Sequence, residues 1–154
     1  MRQQLSQSQS ILLVEDNQDD YEATCRAFTK ANLGNPIVWC KSGRDAMDFL
    51  KQEGAHKNAG KCSRPGLILL DLNMPGMDGR KTLEAIKQDN TLKQIPVIIL
   101  TTSADERDIQ ACYQTGANTY VQKPVSFDGL IEAIKRLKEY WFEIALLPKK
   151  ISHE

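Results

Sequence analysis

Leu67-Ile68-Leu69-Leu70-Asp71-Leu72-Asn73-Met74-Pro75-Gly76-Met77-Asp78-Gly79 is the stretch that decides how this chain folds. It begins with an unbroken apolar run, Leu67 to Leu70, which suits a strand buried on both faces, and a carboxylate closes that run. Four runs of the same kind flank it: Ile11 to Val14, Ile37 to Trp39, Val97 to Leu100 and, weaker, Tyr120 to Val121. Between them lie segments of helix length that open on side chains able to accept an orphan backbone N–H. Asn17 precedes Gln18-Asp19-Asp20, Ser42 stands three before Asp45, Ser103 stands three before Glu106, and Ser126 opens the last segment. Gly34 and Gly116 supply stops. The reading is strand then helix, five times over.

Strands that alternate with single helices imply a parallel sheet covered on both faces, because each crossover returns the chain to the same end. The expected fold is therefore α/β: a doubly wound (βα)5 sheet of five parallel strands in the flavodoxin-like order 2-1-3-4-5. A chain of 154 residues fits one such domain, able to bury about two-thirds of the surface it exposes when unfolded. The domain is expected over residues 10–147, ending in an extended helix, with a disordered amino-terminal tail over 1–9 and a carboxyl-terminal tail over 148–154. Gly54 to Pro65, rich in Gly, Lys and Asn, is the one long irregular piece, either mobile or a contact surface.

Twenty basic and twenty acidic side chains cancel, so the summed field points to neither nucleic acid nor an anionic membrane as partner. No apolar stretch approaches the roughly 20 residues a membrane helix needs, and Met1 to Ser10 is Gln/Ser-rich rather than a signal peptide. Cys25, Cys40, Cys62 and Cys112 lie far apart, with no metal-binding spacing, and read as reduced thiols of a cytoplasmic protein.

In an open parallel sheet, ligands bind beyond the carboxyl ends of the strands. Here the first strand runs out into Glu15-Asp16, the third into Asp71, the fourth into Thr101-Thr102-Ser103 and the fifth into Gln122-Lys123-Pro124. The order 2-1-3-4-5 makes the first and third strands neighbours, which sets Glu15, Asp16 and Asp71 side by side. Three adjacent carboxylates repel unless a cation holds them ionised, and hard oxygen donors without His or Cys favour Mg²⁺ or Mn²⁺. Lys123 adds a point charge and Thr101 a hydroxyl, the pair expected around a phosphoryl group. Taken singly, Glu15-Asp16 reads as a solvated helix start, Asp71 as a turn residue before Met74-Pro75-Gly76, Thr101 as a cap and Lys123 as a surface lysine. Gathered at one edge, they describe phosphoryl transfer to a carboxylate.

The combination VEDN at Val14 to Asn17, LLDLNMPGMDG at Leu69 to Gly79, LTTS at Leu100 to Ser103 and YVQKP at Tyr120 to Pro124 resembles the receiver domain of two-component response regulators, from about Ile11 to Ile144. The resemblance implies that Asp71 takes a phosphoryl group from the phosphohistidine of a sensor histidine kinase. It implies that Asp16, Asp71 and the backbone carbonyl of Asn73 bind Mg²⁺, with Glu15 reaching the ion through water. Thr101 and Lys123 would hold phosphoryl oxygens, Tyr120 would change rotamer as Thr101 moves, and the Lys123–Pro124 peptide would be cis. Such a protein is a phosphoacceptor switch rather than an enzyme. Glu15 stands where the family often has Asp, and Thr102 where Ala or Gly is common, which bears on the lifetime of the phosphorylated state.

Leu130, Ile134, Leu137, Trp141 and Ile144 repeat at 4-3-4-3 and form one stripe of a long last helix. Ile131, Tyr140, Phe142, Leu146 and Leu147 fall off that stripe, as expected of a helix with a second partner. YWFEIALLP at Tyr140 to Pro148, with the Gly54 to Pro65 loop, resembles the single-domain regulators that pair with cyanobacterial phytochromes. That resemblance implies a phytochrome kinase as donor and a homodimer through the face from the fourth strand to the fifth helix. With no DNA-binding domain after Pro148, the expected output is a protein contact.

Three rival classes share parts of this pattern. Phosphatases of the haloacid dehalogenase class need a second Asp two residues after the nucleophile, where this chain has Asn73. A flavin-binding flavodoxin needs a phosphate-cradling loop, whereas Glu15 to Asp20 carries four carboxylates. A pseudo-receiver that acts as a phosphorylation-independent interaction module keeps the fold without using the site, and the intact Asp16, Asp71, Thr101 and Lys123 argue against it.

Overall fold

The five apolar runs form one parallel sheet. The computed structural model describes residues 2–3, 9–52, 64–74, 76, 78–145 and 147–148. Strands β1 (Ile11–Val14), β2 (Ile37–Cys40), β3 (Leu67–Leu70), β4 (Val97–Thr101) and β5 (Thr119–Gln122) alternate with helices α1 (Gln18–Lys30), α2 (Gly43–Lys51), α3 (Gly79–Gln88), α4 (Glu106–Thr115) and α5 (Phe127–Lys138). The strand order is β2-β1-β3-β4-β5, the expected 2-1-3-4-5. β1 is paired in parallel on both sides, with Ile11 opposite Ile37 and Leu67, and Val14 opposite Cys40 and Leu70.

The pleat sends alternate residues of each strand to opposite cores. Leu12, Val14, Ile68, Leu70 and Ile99 meet Phe49 of α2, Leu83 and Ile86 of α3 and Cys112 of α4. Ile11, Leu13, Leu67, Leu69 and Ile98 meet Ala27 and Phe28 of α1 and Ile134 of α5. Two buried faces explain why these strands read as continuous apolar runs rather than as alternating ones. Among the described residues no helix is long and apolar enough to cross a membrane.

Helix starts agree with their caps at Asn17, Ser42 and Ser126, whose side chains accept from the amides of Asp20, Asp45 and Gly129. Two ends differ from expectation. The cap of α4 is Asp105, which accepts from the Arg107 amide, because the Ser103 hydroxyl is engaged in donating to Asp108. α1 stops at Ala31 and Asn32, where Asn32 takes a positive φ of 60° and makes the turn before Gly34 is reached.

α5 runs directly into a six-residue π-helical turn, Glu139–Ile144, closed by the Ala145 amide donating to the Tyr140 carbonyl at 2.7 Å. Trp141 continues the buried stripe of Leu130, Ile134 and Leu137. Ile131 and Phe142, off the stripe by periodicity, pack half-buried in that same core, so their apolar surface is covered in good part within the chain. Tyr140 stays about half exposed. At the termini, Arg2–Gln3 pair antiparallel with Leu147–Pro148, so the stretch expected as a tail over 1–9 contains a paired segment. Of the long loop from Gly54 to Pro65, residues 54–63 lie outside the described residues, as do the side chains of Ile144, Leu146 and Leu147.

Candidate functional site

The sheet ladder carries the polar residues to their positions. The Glu15 amide donates to the Cys40 carbonyl at 3.0 Å, the Asp71 amide to Val14 at 3.1 Å and the Lys123 amide to Thr101 at 2.7 Å. Each residue is thus held one step past the end of its strand, and all face the same edge. Glu15, Asp71 and Thr101 are buried there, while Asp16 is exposed. Among the described residues, Glu15, Asp16 and Asp71 each offer a carboxylate oxygen to a group whose atoms all lie within 4.8 Å of one another.

Lys123 reaches in from the far side. Its Nζ lies 2.5 Å from Glu15 Oε1, 3.3 Å from Asp20 Oδ2 and 3.6 Å from Asp71 Oδ2. The lysine is aimed by its ladder bond to Thr101, and the peptide to Pro124 is trans: no described peptide bond is cis. That corrects the expected cis bond. The trans form is the lower-energy one for X-Pro by about 0.5–1 kcal/mol, and nothing in the ladder demands the other.

Burial pushes the Glu15 carboxyl up to about 7, against the pull of its bond to Lys123. For Lys123, burial disfavours the ammonium, but Glu15, Asp71 and Asp20 together outweigh that and hold its pKa above the ordinary value. Three carboxylates, those of Glu15, Asp20 and Asp71, therefore share one ammonium, and Asp16 adds a fourth beside Glu15 and Asp71. This excess of negative charge, carried on hard oxygen donors, fits a divalent cation such as Mg²⁺ or Mn²⁺.

Asn73 lies beside Asp71. Its amide approaches Asp71 Oδ1 at 3.4 Å, and its side-chain Nδ2 approaches Thr101 Oγ1 at 3.5 Å. Tyr120, on β5, donates its hydroxyl to the Ser103 carbonyl at 2.9 Å, tying that ring to the loop after β4.

Several contributors escaped sequence reasoning. Asp20 contacts Lys123 from 103 residues away. Gly79 opens α3 against the backbone after β3, and a Cβ there would fall 2.1 Å from the Asp71 carbonyl oxygen and 2.6 Å from Leu72 Cα. Trp39 donates its indole N–H to the Glu15 carbonyl at 2.7 Å and stacks on Tyr21 with ring centroids 3.9 Å apart, which braces the acidic turn. Arg80 grips Asp108 through two bonds of 2.8 Å. The Asx-type cap at Asp78, followed by Gly79, was the one such signal open to reading in advance.

Comparison with known proteins agrees with this fold. The family described as "Response regulator receiver domain" matches residues 11–135. The probable methanogenesis regulatory protein FilR2 of Methanothrix harundinacea is 39% identical over 131 residues, covering 85% of this chain and 82% of that protein. Response regulator Rcp1 of Synechocystis is 38% identical over 138 residues, covering 90% and 92% of the two chains. Its Mn²⁺-bound crystal structure superposes with a TM-score of 0.81, covering 91% of this chain and 99% of that one. The phosphorylated cyanobacterial phytochrome response regulator RcpA superposes with a TM-score of 0.84 at 42% identity, covering 92% and 99%.

Proposed function

The chain belongs to the response regulator receiver domain family, and on that premise we propose that it is a phosphorylation switch in which Asp71 accepts a phosphoryl group from a sensor histidine kinase. The observation that carries this reading is the position of Asp71: buried at the end of β3, clustered with the Glu15 and Asp16 carboxylates and 3.6 Å from the Lys123 ammonium. An Asp71 oxygen attacks phosphorus, the P–N bond to the kinase imidazole breaks, and an acyl phosphate results. Water later cleaves it and restores the carboxylate.

Because phosphoryl transfer passes through a loose transition state, the site has mainly to align the groups and neutralise charge. Asp16, Asp71 and the Asn73 backbone carbonyl would hold Mg²⁺ or Mn²⁺, with Glu15 acting through water, and the ion would supply charge neutralisation on the phosphoryl oxygens. The Mn²⁺-bound structure of Rcp1 supports this choice of metal. Lys123 neutralises a second oxygen, and the Thr101 hydroxyl, at the end of β4, donates to a third. Drawing Thr101 inward shifts the loop that Tyr120 grips through Ser103, so Tyr120 changes rotamer and the face of β4, α4, β5 and α5 changes with it.

That face is the output. Tyr113 of α4, about half exposed, supports its use as a homodimer surface, and Tyr140, in the turn just past α5, is about half exposed as well. The likeness to Rcp1 and RcpA supports a phytochrome-type kinase as donor. The free thiols of Cys25, Cys40 and Cys112 are consistent with a cytoplasmic setting. The protein is a phosphoacceptor that catalyses only its own phosphorylation and dephosphorylation.

Incubation with radiolabelled acetyl phosphate or a phosphorylated phytochrome kinase is expected to load one phosphoryl group per chain, dependent on Mg²⁺ and lost in Asp71→Asn. Equal labelling of the variant rejects the acceptor. Sedimentation of the loaded and unloaded protein tests the dimer, and a monomer in both states at high concentration rejects it.

A further inference from the structure

Lys123 is held from three directions, and one of them has no part in the reading above. Asp20 Oδ2 lies 3.3 Å from the ammonium, yet Asp20 is absent from the set of three carboxylates that converge on a common point. It stands in the first turn of α1, with its side chain half exposed. Its backbone is fixed: the amide donates to the Asn17 cap at 3.0 Å and the carbonyl accepts the Thr24 hydroxyl at 2.8 Å. The carboxylate is therefore presented to Lys123 from a rigid mount.

We propose that Asp20 is a positioning residue that restrains Lys123 from the phosphoryl group, and so lowers the rate at which Asp71 is loaded. The inference rests on Asp71 being the acceptor. An ammonium has three N–H donors. One goes to Glu15 at 2.5 Å and one toward Asp20 at 3.3 Å, while Asp71 at 3.6 Å lies beyond hydrogen-bond reach. A phosphoryl oxygen arriving at Asp71 must recruit Nζ in competition with the longer and more exposed of those bonds, the one to Asp20. The same carboxylate also adds negative charge beside the place where phosphoryl charge collects. Both effects act in one direction.

Removing that charge speeds loading. The second-order rate constant for phosphorylation by acetyl phosphate in Mg²⁺ is expected to rise about two- to five-fold in Asp20→Asn, the scale of a half-exposed ion pair. The gain should shrink at high salt, where exposed charges are screened. An unchanged or lower rate in Asp20→Asn overturns the proposal. So does the same gain in a Lys123→Met background, read as affinity for beryllofluoride if labelling there is too slow to follow, because the effect must then bypass the lysine. Thermal unfolding separates this from loss of a helix-terminal charge, which would lower stability without raising the rate. Labelling that persists in Asp71→Asn rejects the acceptor itself, an outcome distinct from all of these.

Discussion

The Lys123 ammonium and the Glu15 carboxylate meet at 2.5 Å across 108 residues of sequence, and both side chains are largely withdrawn from water. Burial nevertheless prevails over the pairing and leaves Glu15 titrating at about 7, against 4.5 in an open chain. Between those two values the folded protein keeps a proton that the unfolded chain has lost. Stability therefore falls as pH rises through that window, on the order of 3 kcal/mol in all. Lys123, raised above its ordinary value, contributes stability throughout this range and loses it only in strong alkali, so it adds no slope here. Urea midpoints taken in EDTA from pH 5 to pH 8 should decline for the native protein relative to Glu15→Gln. A difference between the two that is flat or rises with pH excludes a neutral Glu15 in the metal-free fold.

The second prediction concerns Gly79. A methyl group there would sit 2.1 Å from the Asp71 carbonyl oxygen and 2.6 Å from Leu72 Cα, both backbone atoms that cannot swing aside. Gly79→Ala must therefore push α3 away from the turn after Asp71, breaking the Gly79 amide bond to the Leu72 carbonyl at 3.0 Å. The cost is expected at about 2 kcal/mol or more, despite the higher helix propensity of alanine. Thermal unfolding checks it, and a variant as stable as the parent would show that the turn has slack to give.

The strands and the polar edge of the sheet were legible because one physical rule governs both. A strand buried on two faces shows as an unbroken apolar run, and the first polar residue after it marks the edge where ligands bind. Asp71, Thr101 and Lys123 were found that way, and the sheet does bring them together. Contacts that depend on how far one helix stands from another were not legible. Nothing in the spacing of Asp20 and Lys123, or of Arg80 and Asp108, announces a pair, since each needs the packed distance between separate elements. The α4 cap shows the same limit: Ser103 has the right residue type, but a tertiary partner, Asp108, takes its hydroxyl and leaves the cap to Asp105. Ile131 and Phe142 likewise lie off the helical stripe in a flat projection, yet enter the core of the folded chain.

The last prediction follows from the Arg80–Asp108 pair. Arg80 Nε and Nη2 each lie 2.8 Å from an Asp108 oxygen, Asp108 accepts the Ser103 hydroxyl at 2.8 Å, and Tyr120 donates to the Ser103 carbonyl at 2.9 Å. The start of α3, the start of α4 and Tyr120 thus share one chain of bonds. Arg80 first, and then Ser103, holds the Asp108 carboxyl below its ordinary value. The pair's stabilisation is accordingly present above the usual carboxylate range and lost as pH falls through the lower folded value. Because the Arg80 side chain is 38% exposed, solvent screening limits the coupling, which a double-mutant cycle of Arg80→Met with Asp108→Asn should put at about 0.5–1 kcal/mol despite the two-pronged geometry. A second cycle, Arg80→Met with Tyr120→Phe, should be non-additive at neutral pH, because both arms end on Ser103. Strict additivity in the second cycle, with coupling retained in the first, would mean that the ion pair ties α3 to α4 without reaching the tyrosine.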